Sequence, residues 1–436
     1  MITPDTTPQR GLPSFYEPKT QKFYLEDAQG TWHPHALTSF RMQQRCVGIS
    51  TTGQNGAPSQ FEKLTVAVQN DKAVDWAGPL AGYQSGEHFV SGQRILVTNS
   101  CLPVPPVKGE WNHLKGFLET LLGHDKNQLP VLFGWLREAH QCFFAGRQRS
   151  SQALAIAGPA GCGKSLFQQI LTHAWGGRIA KPYRYLIGRT DFNEEMAGSE
   201  HLSIEDENPM CDIKSRNAMG ASIKNLCVNP EHSVHGKFKQ AITLRPVWRL
   251  TITLNDEPYY MQVLPPLDDS IQDKLLLLQC KEGRLPFVPQ SVDDFANVRK
   301  VLCGEVPGFI HHLLNEFELP EQFQNTRYGV QSYQAPDLIE LIECNSLANS
   351  FISLIDSALW TIDDLTREDR WTGTLRELMA LLDDTIYRAQ SKVLFGDRVQ
   401  TLANYIKEAA RRYPERIQKQ ELRNNQGQQW TILKVM

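Results

Sequence analysis

The 436-residue sequence is short of several things, and each shortage removes a class of protein. No run approaches the roughly eighteen apolar residues of a membrane-spanning helix. The stretch from Met1 to Gly11 carries Asp, Thr, Pro and Gln, and it lacks the apolar segment of a secretory leader. The nine cysteines stand at 46, 101, 142, 162, 211, 227, 280, 303 and 344, with no CxxC and no Cys/His group at zinc spacing. An odd, scattered set of this kind suits reduced thiols in a cytoplasmic compartment. A large excess of charge of either sign is also missing. The formal net charge is −3, so any nucleic-acid surface must be a local patch. Repeats and low-complexity tracts are missing too. With 41% apolar and 21% charged residues, an ordinary soluble globular chain of roughly two to four domains is expected.

What is present centres on Gly158-Pro159-Ala160-Gly161-Cys162-Gly163-Lys164-Ser165, which fits G-x-x-x-x-G-K-[ST] at every fixed position. Ala153-Leu154-Ala155-Ile156-Ala157 reads as a buried strand entering it, and Leu166-Phe167-Gln168-Gln169-Ile170-Leu171 as the helix leaving it. Glycines let backbone N–H groups curl toward a polyphosphate, and the helix N-terminus adds a positive dipole end. Lys164 would reach the β- and γ-phosphates of ATP, and the Ser165 hydroxyl would ligate Mg2+. Cys162 sits at a variable position of the loop, beside a helix terminus that lowers a thiol's pKa.

Residues 1–105 read as a β-rich or mixed domain. Its short runs are Lys22-Phe23-Tyr24-Leu25, Leu64-Thr65-Val66-Ala67-Val68 and Arg94-Ile95-Leu96-Val97-Thr98. Residues 106–150 form a helical lead-in, with Leu114, Phe117, Leu118, Leu121 and Leu122 on one stripe and Leu132, Trp135, Leu136, Ala139 and Phe143 on the next. Residues 151–290 alternate strand and helix, the pattern of an α/β core whose parallel sheet is flanked by helices. A helical region follows over 291–370, where the adjacent His311 and His312 read as helix-face residues without metal-spaced partners. In 371–436, two helical stripes precede a hairpin over 421–433 that turns near Asn425–Gly427, which suggests a winged helix. From Arg398 to Met436 eight basic residues outnumber three acidic ones, giving +5 on a chain that is acidic overall.

A second acidic element follows the loop. His201-Leu202-Ser203-Ile204-Glu205-Asp206-Glu207 is a short strand ending in three carboxylates. Asp206 fits the magnesium-shell acid and Glu207 the base polarising the attacking water, with Glu205 as the substitute. Further on, Trp248-Arg249-Leu250-Thr251-Ile252-Thr253-Leu254 ends at Asn255, an amide placed to orient water or sense a γ-phosphate. Between them His235-Gly236-Lys237-Phe238-Lys239 suits a hairpin that touches nucleic-acid phosphates and stacks on bases.

The order GPAGCGKS, LSIEDE, HGKFK, LTITLNDEP resembles the superfamily 3 helicases, AAA+ ATPases of viruses, phages and plasmids, and most of all the helicase half of phage/plasmid primase-helicases. The likeness covers roughly residues 110–345 and extends in kind to the tail. It implies homo-hexameric rings and a pore hairpin in which Lys237, with His235 and Lys239 beside it, pulls single-stranded DNA. It also implies a trans arginine finger. Lys274 stands where that arginine belongs, and a lysine cannot make the bidentate fork. Arg284 and Arg249 are the other cations considered. No zinc element or polymerase carboxylate pair marks a primase, so any primase or replication partner would be a separate chain. The expectation is therefore an ATP-hydrolysing DNA translocase. A regulatory NTPase that assembles a signalling or defence complex is the alternative, and a kinase lacks an acceptor site.

Overall fold

Alternating apolar runs build two small sheets before the phosphate loop is reached. In the first, β1 (Ser14–Glu17), β2 (Lys22–Glu26) and β3 (Trp32–His35) pair antiparallel in that order. Helices α1 (Leu37–Cys46) and α2 (Gln60–Asp71) follow. In the second sheet, β4 (Trp76–Gly78), β5 (Gly86–Val90) and β6 (Gln93–Val97) take the order β4-β6-β5. The expected strand at Leu64–Val68 is instead the middle of α2. Ser59 and Glu62 close a capping box at its N-terminus, while Phe61 and Val68, two helical turns apart, bury one face. This computed structural model describes residues 11–205, 207, 213–237, 240–257, 259–344, 347–360, 369–384, 386–396, 398–420 and 428–434.

The two apolar stripes form α3 (Asn112–Leu122) and α4 (Gln128–Ala145). Their large side chains, Phe117 and Trp135 among them, are core rather than base-stacking surface. Next come β7 (Ala153–Ala157), α5 (Lys164–Ala174), β8 (Ile179–Ala180), α6 (Tyr183–Leu186), α7 (Glu194–Ala197) and β9 (His201–Glu205). Helix α8 (Ile213–Val228) leads to a hairpin of β10 (His232–Val234) and β11 (Ile242–Leu244), then to β12 (Arg249–Leu254), α9 (Asp269–Gln272) and β13 (Leu275–Gln279). The five strands β13-β7-β12-β9-β8 make one wholly parallel sheet in that order. Strand β7 is buried at every residue, which explains why its sequence is apolar throughout and not alternating. Helices α10 (Val292–Gly304) and α11 (Val306–Asn315) and the short pair β14 (Gln324–Asn325) and β15 (Gly329–Val330) follow.

The chain divides into two compact units, 1–335 and 336–436. The second unit therefore takes in helix residues that the sequence reading grouped with 291–335. It runs α12 (Pro336–Cys344), α13 (Leu347–Leu359), β16 (Arg370–Thr374), α14 (Leu375–Asp383), α15 (Arg388–Phe395), α16 (Val399–Arg412), β17 (Ile417–Lys419) and β18 (Gln429–Leu433). Its three strands pair antiparallel as β16-β18-β17 around Trp430 and Ile432. The hairpin's first described strand starts at Ile417 rather than Glu421, and the turn at Asn425–Gly427 lies outside the described residues. Strand β16 was not foreseen. Among the described residues no helix is long and apolar enough to cross a membrane.

Two imidazoles are sealed within the first unit. His201 bridges α5 and β12, with Nδ1 at 2.7 Å from Thr172 Oγ1 and Nε2 at 2.7 Å from Thr251 Oγ1. Burial pushes His201 down to about 3, as it does His140, with lesser contributions from Lys181 and Arg249 respectively. Both are therefore neutral in the fold but take a proton when unfolded below their ordinary value near 6.5. Stability is complete above pH 6.5 and erodes as pH falls toward 3, at ~1.4 kcal/mol per pH unit for each ring. Urea midpoints should fall between pH 6.5 and 5 by on the order of 3–4 kcal/mol of unfolding free energy. Equal unfolding free energies at the two pH values would contradict the neutral, buried assignment.

Candidate functional site

The sheet register brings three strand ends to the loop. Ala157 closes β7 opposite Leu254 of β12 on one side and Gln279 of β13 on the other, and Gly158 N donates to Leu254 O. Residue Asn255 therefore emerges directly beside the loop. Gly161 and Gly163 hold φ of +76° and +112°, a region that a side chain disfavours, and Gly163 is the N-cap of α5. A Cβ on Gly163 would also lie 3.0 Å from Phe117 Cε2, so α3 backs the loop.

Lys164 is only 6% exposed. Its ammonium donates to Gly158 O at 2.7 Å, Pro159 O at 2.8 Å and Asn255 Oδ1 at 3.0 Å. Pro159 and Cys162 complete the turn, with Cys162 N donating to Pro159 O. The loop opens on a cleft of about 1520 Å³ whose walls include Ala160, Gly161, Gly163, Lys164, Ser165 and Asn255. Helix α10 closes the far side with Phe295, Arg299 and Lys300, which the sequence reading missed. A signal was present in Ser291, which caps a helix carrying an adjacent Arg-Lys pair.

The acidic element reaches the same end of the sheet. Glu205 aligns with Thr253 of β12, so its strand lies two spacings from β7, roughly 10 Å away. Glu205 is occupied, since Lys181 Nζ lies at 2.7 Å and Ser203 Oγ donates to it at 2.8 Å. Glu207 follows, half-buried, while Asp206 lies outside the described residues.

The cations separate by position. Lys274 precedes β13 at the opposite end of the sheet, where its carbonyl accepts from Ala153 N and its ammonium pairs with Asp273 at 2.5 Å. Arg284 is exposed beyond the other end of β13, near the loop, with its backbone N–H donating to Thr120 Oγ1 at 2.6 Å. Arg249 is excluded as an exposed finger. It is 1% exposed, and its guanidinium donates to Gln148 Oε1, Trp248 O and Cys142 Sγ.

Away from the cleft, the β10–β11 hairpin carries exposed Lys237 in its turn, and Phe238 and Lys239 lie outside the described residues. Asn193 bolts a neighbouring loop to the hairpin: Asn193 N donates to His235 O, His235 N to Asn193 Oδ1 and Asn193 Nδ2 to Ser233 O. The bolt sets the half-exposed Phe192 ring 5.2 Å from the His235 ring. The hairpin stem, Val234, Ile242 and Leu244, packs with Trp76, Val90, Ile95 and Val97 of the second N-terminal sheet. Among the described residues no three His, Cys, Asp or Glu side chains converge as a metal cluster.

A five-stranded parallel sheet with a glycine-rich loop between strand and helix is consistent with a phosphate-loop type of α/β core. Residues 156–270 match a family of unknown function, DUF5906. The chain shares its fold with the NrS-1 C-terminal region, at TM-score 0.56 and 12% identity over 98% of this chain and 96% of that one. Lesser alignments reach the JCV helicase bound to an inhibitor (TM-score 0.31, 11% identity, 56% of this chain and 63% of that one) and the SCCmec type IV Cch active helicase (0.29, 11%, 93% and 74%). Neither of these two bears on function. No curated protein matches the chain.

Gly158 is a packing constraint as well as a loop residue, because a Cβ there would sit 2.4 Å from Cys280 Sγ and 2.5 Å from Cys280 O. Gly158→Ala should cost ~1–3 kcal/mol in a thermal melt. Cys280→Ala should not rescue it, because the carbonyl contact remains. An unchanged melting temperature would show that the loop yields freely.

Proposed function

We propose that the chain is an ATP- and Mg2+-dependent, ring-forming DNA helicase or translocase of superfamily 3 type, acting in replication of a phage, plasmid or other mobile element. One observation carries the reading. The Lys164 ammonium and the Asn255 amide meet at 3.0 Å on a glycine-rich loop, in a cleft roomy enough for a nucleotide. A basic hairpin is inserted in the chain between the acidic strand and the Asn255 strand.

In this reading the loop N–H groups and Lys164 hold the β- and γ-phosphates, and Asn255 orients water or senses the γ-phosphate. Glu207 polarises the attacking water, a task left open by the engagement of Glu205 with Lys181 and Ser203. The donors suit a hard cation. The Ser165 hydroxyl and the Asp206 carboxylate would hold Mg2+, which neutralises phosphate charge when bound. Lys274 sits a full strand, ~17 Å, from its own loop, so it could serve only a neighbouring copy. Arg284 lies on the loop's own side of the sheet. His235 and Lys237, with Phe192 beside His235, belong to the surface for single-stranded DNA, to which the sequence adds Lys239. The order β16-α14-α15-α16-β17-β18 in the second unit supports a winged-helix reading, with exposed Arg411 at the end of α16 as a phosphate contact.

Steady-state ATP hydrolysis, with and without single-stranded DNA across a salt titration, tests the proposal. Stimulation by DNA that fades with salt is expected. Lys164→Ala should lose nucleotide binding, Glu207→Gln should bind but turn over ~10²–10⁴-fold more slowly, and Lys237→Ala should lose the DNA stimulation. Turnover indifferent to DNA at low salt would favour a regulatory NTPase, and normal turnover by Glu207→Gln would sink the base assignment.

A further inference from the structure

The phosphate loop holds a thiol that has a partner 118 positions along the chain. Cys162 Sγ lies 3.3 Å from Cys280 Sγ, at the point where β13 ends behind Gly158. Among the described residues no other two cysteine sulfurs come within hydrogen-bonding distance. Neither backbone is loosely placed. Cys280 N donates to Ala157 O at 2.8 Å, and Cys162 O accepts from Gly283 N at 2.9 Å. The groups facing the pair are Lys164 from α5, with Nζ at 3.9 Å from Cys162 Sγ, and Asp256 beyond β12.

We propose that Cys162 and Cys280 form a reversible disulfide that disables the phosphate loop, so that the site reads oxidant as well as nucleotide. The gating half of this proposal rests on the loop holding a nucleotide, as proposed above.

The chemistry needs a peroxide. The Cys162 thiolate attacks one peroxide oxygen, forming S–O and breaking O–O, and the departing hydroxide takes a proton to become water. The Cys280 sulfur then attacks the Cys162 sulfenic acid, forming S–S and breaking S–O, and its proton leaves with the second hydroxide as water. Two thiols are oxidised and one peroxide is reduced to two waters. A dithiol reverses the step by thiol–disulfide exchange. Cys162 suits the attacking role. The hydrogen bond from Cys280 draws its thiol down to about 6 against the effect of burial, the Lys164 ammonium assists and Asp256 opposes, while the Cys280 thiol is pushed up. Both residues are buried, so the oxidant must be small; the loop residues on either side of Cys162, Gly161 and Gly163, line the cleft.

Closure matters because the sulfurs must approach from 3.3 Å to about 2.05 Å. Both backbones are hydrogen-bonded, and Cys162 is the one within the phosphate loop, so closure strains the turn beside Gly163 at φ +112° and Lys164. A phosphate cradle tolerates misplacement of only about 0.5 Å.

The test uses the full reduced chain exposed to hydrogen peroxide, with peptide mapping by mass spectrometry and binding of a fluorescent ATP analogue measured in parallel. A Cys162–Cys280 linked peptide is expected, together with a loss of affinity of more than ~10-fold that dithiothreitol restores. Cys280→Ser should give no linked peptide and should leave Cys162 as a sulfenic acid trapped by dimedone. The proposal is overturned if exposed Cys46 oxidises while no linked peptide forms, or if the linked protein keeps its affinity within about twofold. A reduced chain that binds no ATP analogue overturns the function proposed above and the gating with it, while the linked peptide still decides the thiol pair.

Discussion

A buried ammonium with no carboxylate partner among the described residues is the constraint on which the candidate site depends. Among the described residues Lys164 has no carboxylate within 4 Å; two loop carbonyls, one amide oxygen and a thiol surround it. Removing a cation from water is expensive unless opposite charge compensates, and partial charges on neutral oxygens compensate only in part. The fold tolerates this arrangement because the loop is braced on two sides, by Phe117 of α3 against Gly163 and by Cys280 of β13 against Gly158. A polyphosphate entering the cleft would supply the missing negative charge in a low-dielectric setting, where it counts most. In the proposed reading, the site is preorganised for an anion before any anion arrives.

The strand order determines which residues share that opportunity. With β12 between β7 and β9, the amide of Asn255 stands one strand away and the Glu205 carboxylate stands two away. In the proposed reading, that spacing would leave room for a terminal phosphate and a water between Lys164 and the base. The buried His201–Thr172 and His201–Thr251 bonds hold α5 against β12, so the loop's helix and the Asn255 strand keep a common register. The Gln168 side chain adds to the same network by accepting from Thr251 Oγ1 at 2.6 Å.

Legibility followed the range of the forces involved. The loop, its strand and its helix were readable because their requirements are local: apolar residues for a doubly covered strand, glycines at positive φ and a lysine at a fixed offset. Asn255 was readable as a strand tip, though only pairing with β7 shows that it touches Lys164. The run Leu64-Thr65-Val66-Ala67-Val68 was misread because β-branched residues suggest a strand, while the capping box at Ser59 and Glu62 decides for helix. Arg249 looked like an available cation in sequence, yet it lies under α4 with Cys142 and Gln148 as partners more than a hundred positions away. Arg299, Lys300 and the Cys280 contact are invisible for the same reason, since each acquires its meaning only when distant elements pack.

The hairpin shows how the two halves of the proposed activity could share one piece of machinery. It departs after α8, which follows the carboxylates of β9, and it returns to β12 within five residues of Leu244. One root therefore follows α8, and the other runs into β12, whose far end leads to Asn255 beside the loop. Its stem is clamped to the β4–β6 sheet, and the Asn193 bolt ties its neck to the loop that carries Phe192. In the proposed reading, a load on Lys237 would meet a braced stem, where Val234, Ile242 and Leu244 are packed and buried, and would pass toward β12 or the second N-terminal sheet. The N-terminal residues are thus more than a spacer: they pack the base of the hairpin whose second arm leads into the strand ending at Asn255. In the proposed reading, a change at the loop would reach the hairpin through Asn255 and β12.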